Sequence, residues 1–333
     1  MKYDLCLSHP TTVILIGNEV SFLSDINPLL SIESSIYKVI SNPDYALEII
    51  NDRSTFNKPT EHNLERPFSN TLEQRRIIVN INTIHLELLN PDRFNRISTV
   101  IIDSDMQNIN GLKLCTMIQN PYIKKIILIE KAEEQSAIDA FNHGLIDGFI
   151  KKDEKIKTAN KLDQLIKKVQ NEYFSDLSLV IQDAIKNYPE EETAFGKNYF
   201  RKFFCKILKQ YSIVEFYLIE SIGSYLMLNA VGEAFILFLK NEDQMEAAYH
   251  EIKTVKTIPQ KIKQQLKDKK SILCCTLMQN KSLPEYSEWP KYLENAYPIE
   301  QSEFFYAISK NTCQLISSKF FSFKNYHDFI NNA

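Results

Sequence analysis

Along residues 1–155 the apolar positions alternate between two periods. Val13-Ile14-Leu15-Ile16 is a short continuous apolar run, the pattern of a strand buried on both faces. Phe22, Leu23, Ile26, Leu29 and Leu30 then recur at helical spacing. Tyr37-Lys38-Val39-Ile40 reads as a second strand, Tyr45 to Ile50 as a helix, and Thr99-Val100-Ile101-Ile102 as the next buried strand. Leu112 to Ile118 is helical again, Lys125 to Ile129 is a strand, and a helix through Ile138 and Phe141 leads to Phe149-Ile150. Strands alternating with helices predict a parallel sheet covered on both faces. Five of them predict an α/β, flavodoxin-like doubly wound domain, whose reactive crevice lies at the carboxyl ends of the strands.

Two segments break this rhythm. Residues 52–97 are longer than a helix-plus-loop connection, and their early part, DRSTFNKPTEHNLERPFSN, is polar with two prolines, which predicts a surface excursion. The later part, Arg75 to Leu89, carries Ile77, Ile78, Val79, Ile81, Ile84, Leu86 and Leu88 and is expected to pack as an extra strand, an extra helix or both. From Lys157, the positions Leu162, Leu165, Ile166, Val169, Tyr173, Leu177, Val180, Ile181 and Ile185 keep a helical spacing until Pro189. A helix of ~28 residues, or ~40 Å, is too long for one small domain. It reads either as a connector that projects beyond the first domain or as two helices broken near Ser175.

The second half has a different texture. Ile213 to Glu220, Ser224 to Asn229 and Glu233 to Lys240 are β-rich runs separated by Ile222-Gly223 and Ala230-Val231-Gly232, the signature of an antiparallel meander. Helices are expected at Glu242 to Ile252 and Pro259 to Lys269, and strands at Ile272 to Met278, Phe304 to Ile308 and Leu315 to Phe321. The expected organisation is a first domain over 1–155 with an insertion at about 52–97, a connecting helix over 156–188, and a separate α+β domain over 189–333 with an antiparallel sheet.

Composition narrows the function classes. With 333 residues, 44% of them apolar, the chain can bury a core in each of two domains. A net charge of -3 gives no global pull toward nucleic acid or an anionic membrane. No apolar run reaches the ~18 residues of a membrane span, and the start MKYDLCLSHP lacks a signal peptide's apolar middle. A cytoplasmic location with no membrane partner is the expectation. The six cysteines show no C-x-x-C spacing and are expected as free thiols. The seven glycines cannot be assembled into a Gly-rich phosphate loop of the Walker or dinucleotide kind.

In a doubly wound sheet the residues that follow the central strands become neighbours. These are Asn18 and Glu19, Asp103 and Asp105, Glu130, and Lys151 or Lys152. Several carboxylates at one crevice repel unless a cation is present, and oxygen ligands suit a hard ion such as Mg²⁺. A carboxylate, a hard metal and a lysine are what transfer of a phosphoryl group to an aspartate requires.

The first ~155 residues resemble the receiver domain of two-component response regulators, whose pattern of strand, Asp, short loop and Gly eight residues later matches Asp103 to Gly111, with Asp105-Met106 inside it. The resemblance implies that Asp103 is the phosphoacceptor for a sensor histidine kinase. It also implies that Glu19 is a magnesium ligand with Asn18 beside it and Asp105 contributing a backbone carbonyl, and that Lys152 contacts the phosphoryl group. Phe149, three residues before Lys152, favours that lysine, whereas the spacing from Gly144 favours Lys151. Glu130 and Phe149 occupy the switch positions, and a homodimer formed on phosphorylation is implied.

Three departures bear on switching. The acid pair after the first strand is replaced by Asn18-Glu19, Glu130 stands where the family has Thr or Ser, and Asp153 replaces a proline after the lysine. A hydroxyl at 130 would donate to phosphoryl oxygens, whereas a carboxylate repels them. The second half matches no common DNA-binding module. YFRKFFCKILKQ, with Arg201, Lys202, Lys206 and Lys209 among aromatics, gives a weak nucleic-acid signal and reads better as an amphipathic helix. The runs FYLIESIGSYLMLNAVGEAFILFLKNED and FFYAI resemble the output region of Lqs-type response regulators, a group associated with hydroxyketone quorum sensing. Two readings follow: a phosphorylated signalling protein, or a degenerate receiver scaffold whose output domain binds a ligand or nucleic acid.

Overall fold

Alternation inside the apolar runs builds the first sheet. The computed structural model describes residues 5–17, 20–31, 35–52, 64–65, 78–79, 81–106, 109–187, 193–274, 285, 288–310 and 321–332. In strand β1 (Thr11–Ile16) Val13 and Leu15 enter one core while Ile14 and Ile16 enter the other, because successive side chains of a strand point to opposite faces. Strands β2 (Ser35–Ile40), β3 (Ile97–Asp103), β4 (Lys124–Ile129) and β5 (Gly148–Lys151) complete a five-stranded sheet in the order β2-β1-β3-β4-β5, every pair parallel. This is the doubly wound, flavodoxin-like order.

Helices cover both faces. Residues of α1 (Val20–Ile26) and α5 (Lys155–Asn187) join the core of Val13, Leu15 and Ile101. Residues of α2 (Pro43–Ile50), α3 (Gly111–Met117) and α4 (Glu134–Asn142) join the core of Ile14, Val100 and Ile102. Asn42 and Asn110 cap α2 and α3 by accepting backbone N–H groups, as side-chain oxygens at such positions do. Of the two readings of the segment after Lys157, the structure has the unbroken one: α5 runs 33 residues without a break at Ser175.

At the amino ends of the strands, Gln170 of α5 donates to Ser35 Oγ at 2.9 Å and Thr11 Oγ1 at 3.1 Å. Thr11 and Ser98 hydroxyls lie 2.7 Å apart in the same buried cluster. Buried hydroxyls need such partners, and one amide on the long helix satisfies three strands at once.

The second sheet is built on antiparallel pairings. Strands β6 (Ile213–Glu220), β7 (Ser224–Asn229) and β8 (Ala234–Lys240) form a meander in which Tyr225 faces Leu218 and Leu237 across its two neighbours. Gly223 and Gly232 turn it with φ of +120° and +87°. The amphipathic helix α6 (Asn198–Gln210) buries Phe200, Phe204 and Ile207, and Phe204 stacks on Tyr225 at 4.4 Å. After α7 (Glu242–Ile252) and α8 (Gln260–Lys267), strands β9 (Ser271–Leu273) and β10 (Leu293–Asn295) pair separately. Strands β11 (Tyr297–Pro298) and β12 (Phe305–Ser309) extend the large sheet, and α9 (Phe323–Asn332), which periodicity had not indicated, ends the chain's described part. The full sheet order is Leu7–Ser8, β6, β7, β8, β12, β11. Of the expected strand over Ile272 to Met278, residues 275–278 lie outside the described residues, as do 315–320 of the expected Leu315 to Phe321.

Contacts divide the chain into one unit of Ser8–Glu61 and Asn90–Leu179, and another of Met1–Leu7, His62–Leu89 and Val180–Ala333. These limits differ from the expected 1–155, 156–188 and 189–333. Helix α5 belongs to both units, and part of the insertion belongs with the antiparallel sheet. The insertion contains both kinds of element that its pattern left open. Ile78–Val79 pairs with Leu64–Glu65, and a 3₁₀ helix at Ile81–Leu89 packs along β6 with Ile84, His85 and Leu88 buried. The remainder of residues 53–77 lies outside the described residues.

Candidate functional site

The central strand β3 ends in Asp103, whose side chain is 0% exposed. Two glycines let the neighbouring segments approach it closely. A Cβ at Gly111 would lie 2.5 Å from Asp103 O, and one at Gly17 would lie 3.0 Å from Asp103 Cβ. Both glycines are therefore required for the strand ends to meet around the aspartate. Gly111 N–H donates to Ser104 O at 3.1 Å, which closes the loop after β3.

Lys152 follows β5, and its N–H still donates to Ile129 O of β4 at 2.9 Å. That bond sets the direction of the side chain, whose Nζ lies 2.8 Å from Asp103 Oδ1 with only 10% of the side chain exposed. The same Nζ lies 3.5 Å from Glu130 Oε1 and 5.8 Å from the Phe22 ring centroid. Lys151 leaves in another direction and pairs with Glu134 at 2.5 Å. Asp105 is exposed, and its backbone N–H donates to Asp103 Oδ1 at 3.2 Å. Phe149 packs half-buried against the core that contains Ile102 and Ile129. Asn18 and Glu19 lie outside the described residues.

Two polar residues escaped the sequence reading. Glu133 accepts a hydrogen bond from Ser104 Oγ and another, at 3.1 Å, from the backbone N–H of Glu130. It thereby ties the loop after β3 to the loop after β4. Neither residue stands at a motif position, and a serine after a strand or a glutamate opening a helix carries no signal of its own. Asp153 lies two residues before α5 and pairs with Lys157 of its first turn at 2.6 Å.

The arrangement is a buried carboxylate held by one buried ammonium, with a second, half-exposed carboxylate sharing that ammonium. A buried ion pair costs desolvation, and removing one partner leaves the other uncompensated, a penalty of about 3–5 kcal/mol. Such an acid is presented in one geometry with a cation already beside it, which suits a nucleophile toward an electrophile that bears negative charge. Among the described residues no group of three His, Cys, Asp or Glu side chains could hold a metal ion. A hydrated Mg²⁺ does not need one, since it is bound through one or two carboxylates and keeps several waters. The Asp103 carboxylate fits that requirement.

No protein-family model matches the chain, and no curated protein matches it. Among solved structures, the chain is similar to the response regulator LqsR of Legionella pneumophila, with 25% identity over 98% of this chain and 97% of that one and a TM-score of 0.76. A response regulator receiver domain protein of Clostridium thermocellum is 19% identical over 51% of this chain and 98% of its own, with a TM-score of 0.33. The receiver domain of NtrX of Brucella abortus is 18% identical over 47% of this chain and 97% of its own, with a TM-score of 0.32. Over 98% of its length the chain thus shares the fold of the Legionella response regulator, and in this chain that fold consists of a flavodoxin-like receiver sheet and a separate antiparallel sheet with helices.

Proposed function

We propose that the chain is a two-component response regulator in which Asp103 accepts a phosphoryl group from a sensor histidine kinase. The placement of Lys152 at 2.8 Å from a fully buried Asp103 at the end of the central strand carries this reading. In the proposed step a carboxylate oxygen of Asp103 forms a bond to phosphorus as the bond from phosphorus to the kinase histidine nitrogen breaks. Lys152 then turns from the carboxylate to the phosphoryl oxygens and balances their charge. Glu19, Asn18 and the backbone carbonyl of Asp105, with Asp103, are proposed to hold Mg²⁺, which when bound supplies positive charge to the transferred group.

The phosphoryl group adds a charge of about -1.5 to -2 in the crevice. That charge is proposed to change dimerisation and the interactions of the α+β unit, through the helix α5 that the two units share. Resemblance to Lqs-type regulators extends the proposal to quorum sensing. The described residues contain no helix long and apolar enough to cross a membrane.

Incubation with acetyl phosphate and MgCl₂, followed by intact-mass measurement, is expected to show one added phosphoryl group that is lost with EDTA or in Asp103→Asn. An unmodified chain under all conditions overturns the proposal. Glu130 favours a second reading, a receiver that does not switch, because its carboxylate stands 3.5 Å from the lysine that a phosphoryl group would need. An Asp103→Asn chain with unchanged assembly and signalling output would support that second reading.

A further inference from the structure

In the unit that contains α6 and the antiparallel sheet, a cavity of about 290 Å³ lies between the C-terminal end of α6 and strands β10, β11 and β12. We propose that this cavity binds a small organic ammonium ion, held by the rings of Tyr211, Tyr297 and Tyr306 and by the carboxylate of Glu294.

Tyr297 and Tyr306 are direct cross-strand partners, with ring centroids 5.6 Å apart and planes tilted by 36°. Phe203 backs Tyr306 at 4.6 Å, and Phe235 backs Tyr211 at 5.0 Å, so both rings are held in place by packing. Aromatic faces attract a cation within about 6 Å of their centroids. Glu294 is half-buried and accepts a hydrogen bond from Ser309 Oγ at 3.0 Å, which orients its carboxylate. Burial raises the pKa of Tyr306, and the neighbouring phenols of Tyr211 and Tyr297 raise it further, as convergence of the three side chains requires.

Charge selects the class of ligand. Among the described residues lining the cavity there is no lysine, arginine or histidine, and Glu294 is the one acid. The last turn of α6, which ends at Gln210 and is followed by the capping residue Tyr211, brings the negative end of a 13-residue helix to the same place. An anion would meet both. The aromatic cluster already carries one ammonium of the chain itself, since Lys310 Nζ sits 4.8 Å over the Phe235 ring. The cavity volume accommodates a trimethylammonium group with a short substituent, at the lower end of the range for small-molecule sites.

The site shares no residue with Asp103 and Lys152, so its failure would leave the proposed phosphorylation intact. The test is titration of the full-length chain with choline at constant ionic strength, read by calorimetry, beside 3,3-dimethyl-1-butanol, the uncharged isostere. Saturable choline binding is expected, with the isostere at least ~10-fold weaker. Tyr297, half-exposed at 51%, can be changed without opening the core. Tyr297→Leu and Glu294→Gln are each expected to weaken choline several-fold while circular dichroism melts of the unliganded variants stay unchanged. Phosphatidylcholine vesicles compete with choline if the site takes a lipid headgroup and do not if it takes the free ion. No binding by millimolar choline, equal binding of the isostere, or folded variants that bind like the parent overturns the proposal.

Discussion

Lys152 serves two carboxylates, and this sharing makes Glu130 the residue most able to tune the site. A phosphoryl group on Asp103 would stand near a like charge at Glu130 and compete with it for the same ammonium. Glu130→Thr is therefore expected to raise the initial rate of modification by acetyl phosphate about 3- to 10-fold, the effect of roughly 1 kcal/mol of relieved repulsion at a half-exposed position. Glu130→Gln should fall between the two, and a time course of intact mass checks both. His9 supplies a second expectation at this scale. Its ring is buried, which pulls its pKa down to about 3; the hydrogen bond that its Nδ1 donates to Pro10 O at 2.9 Å opposes the shift, and Arg96 and Arg93 add to it. The unfolded chain protonates this ring near pH 6.5, so the unfolded state binds more protons between about pH 6.5 and 3. Stability should fall as pH drops through that window, approaching ~1.4 kcal/mol per pH unit from this residue. Urea melts at several pH values should show a shallower dependence in His9→Gln. At this scale the sequence showed Asp103 and both lysines, but the choice between Lys151 and Lys152 depends on which side chain the ladder bond to Ile129 O aims inward.

The parallel sheet was legible as elements because strands buried on both faces leave unbroken apolar runs, and helices leave their own period. Continuity of α5 was not legible, since helical periodicity runs on through a break as readily as through an intact turn. The structure supplies a reason for its length near the amino ends of the strands, where Gln170 meets Thr11, Ser35 and Ser98. Replacing Gln170 with Leu leaves several buried hydroxyls short of a partner. The expected cost is about 2–4 kcal/mol, from a penalty of ~1–3 kcal/mol for each stranded group and partial relief between the remaining hydroxyls. A lower urea midpoint with an unchanged slope would confirm a loss of stability rather than of compactness. Nothing in the short words TT and S of these strands announces that cluster, because polar residues at strand starts read as turns.

At the scale of the molecule, the chain passes between its two units four times, near residues 7, 61, 89 and 179. Periodicity could not show this, since it reports local geometry and the pairing of Leu7–Ser8 with β6 is remote in sequence. A fragment beginning at residue 189 lacks both that strand and the 3₁₀ helix whose Ile84 and Leu88 are buried in the same unit. Such a fragment is expected to expose the edge of β6 and to associate or melt without a cooperative transition. Sedimentation and thermal denaturation check this, and a soluble monomer that melts cooperatively would contradict it.

The hydrogen bond from Tyr225 Oη to Leu5 O joins residues 220 positions apart. At about 5–20 residues per second, a ribosome needs roughly 10–40 s to deliver the second partner after the first. Through that interval the Leu7–Ser8 strand has no sheet to enter, so the receiver fold can mature during translation while the antiparallel sheet is completed only when the segment around Leu5, made well before it, is recovered.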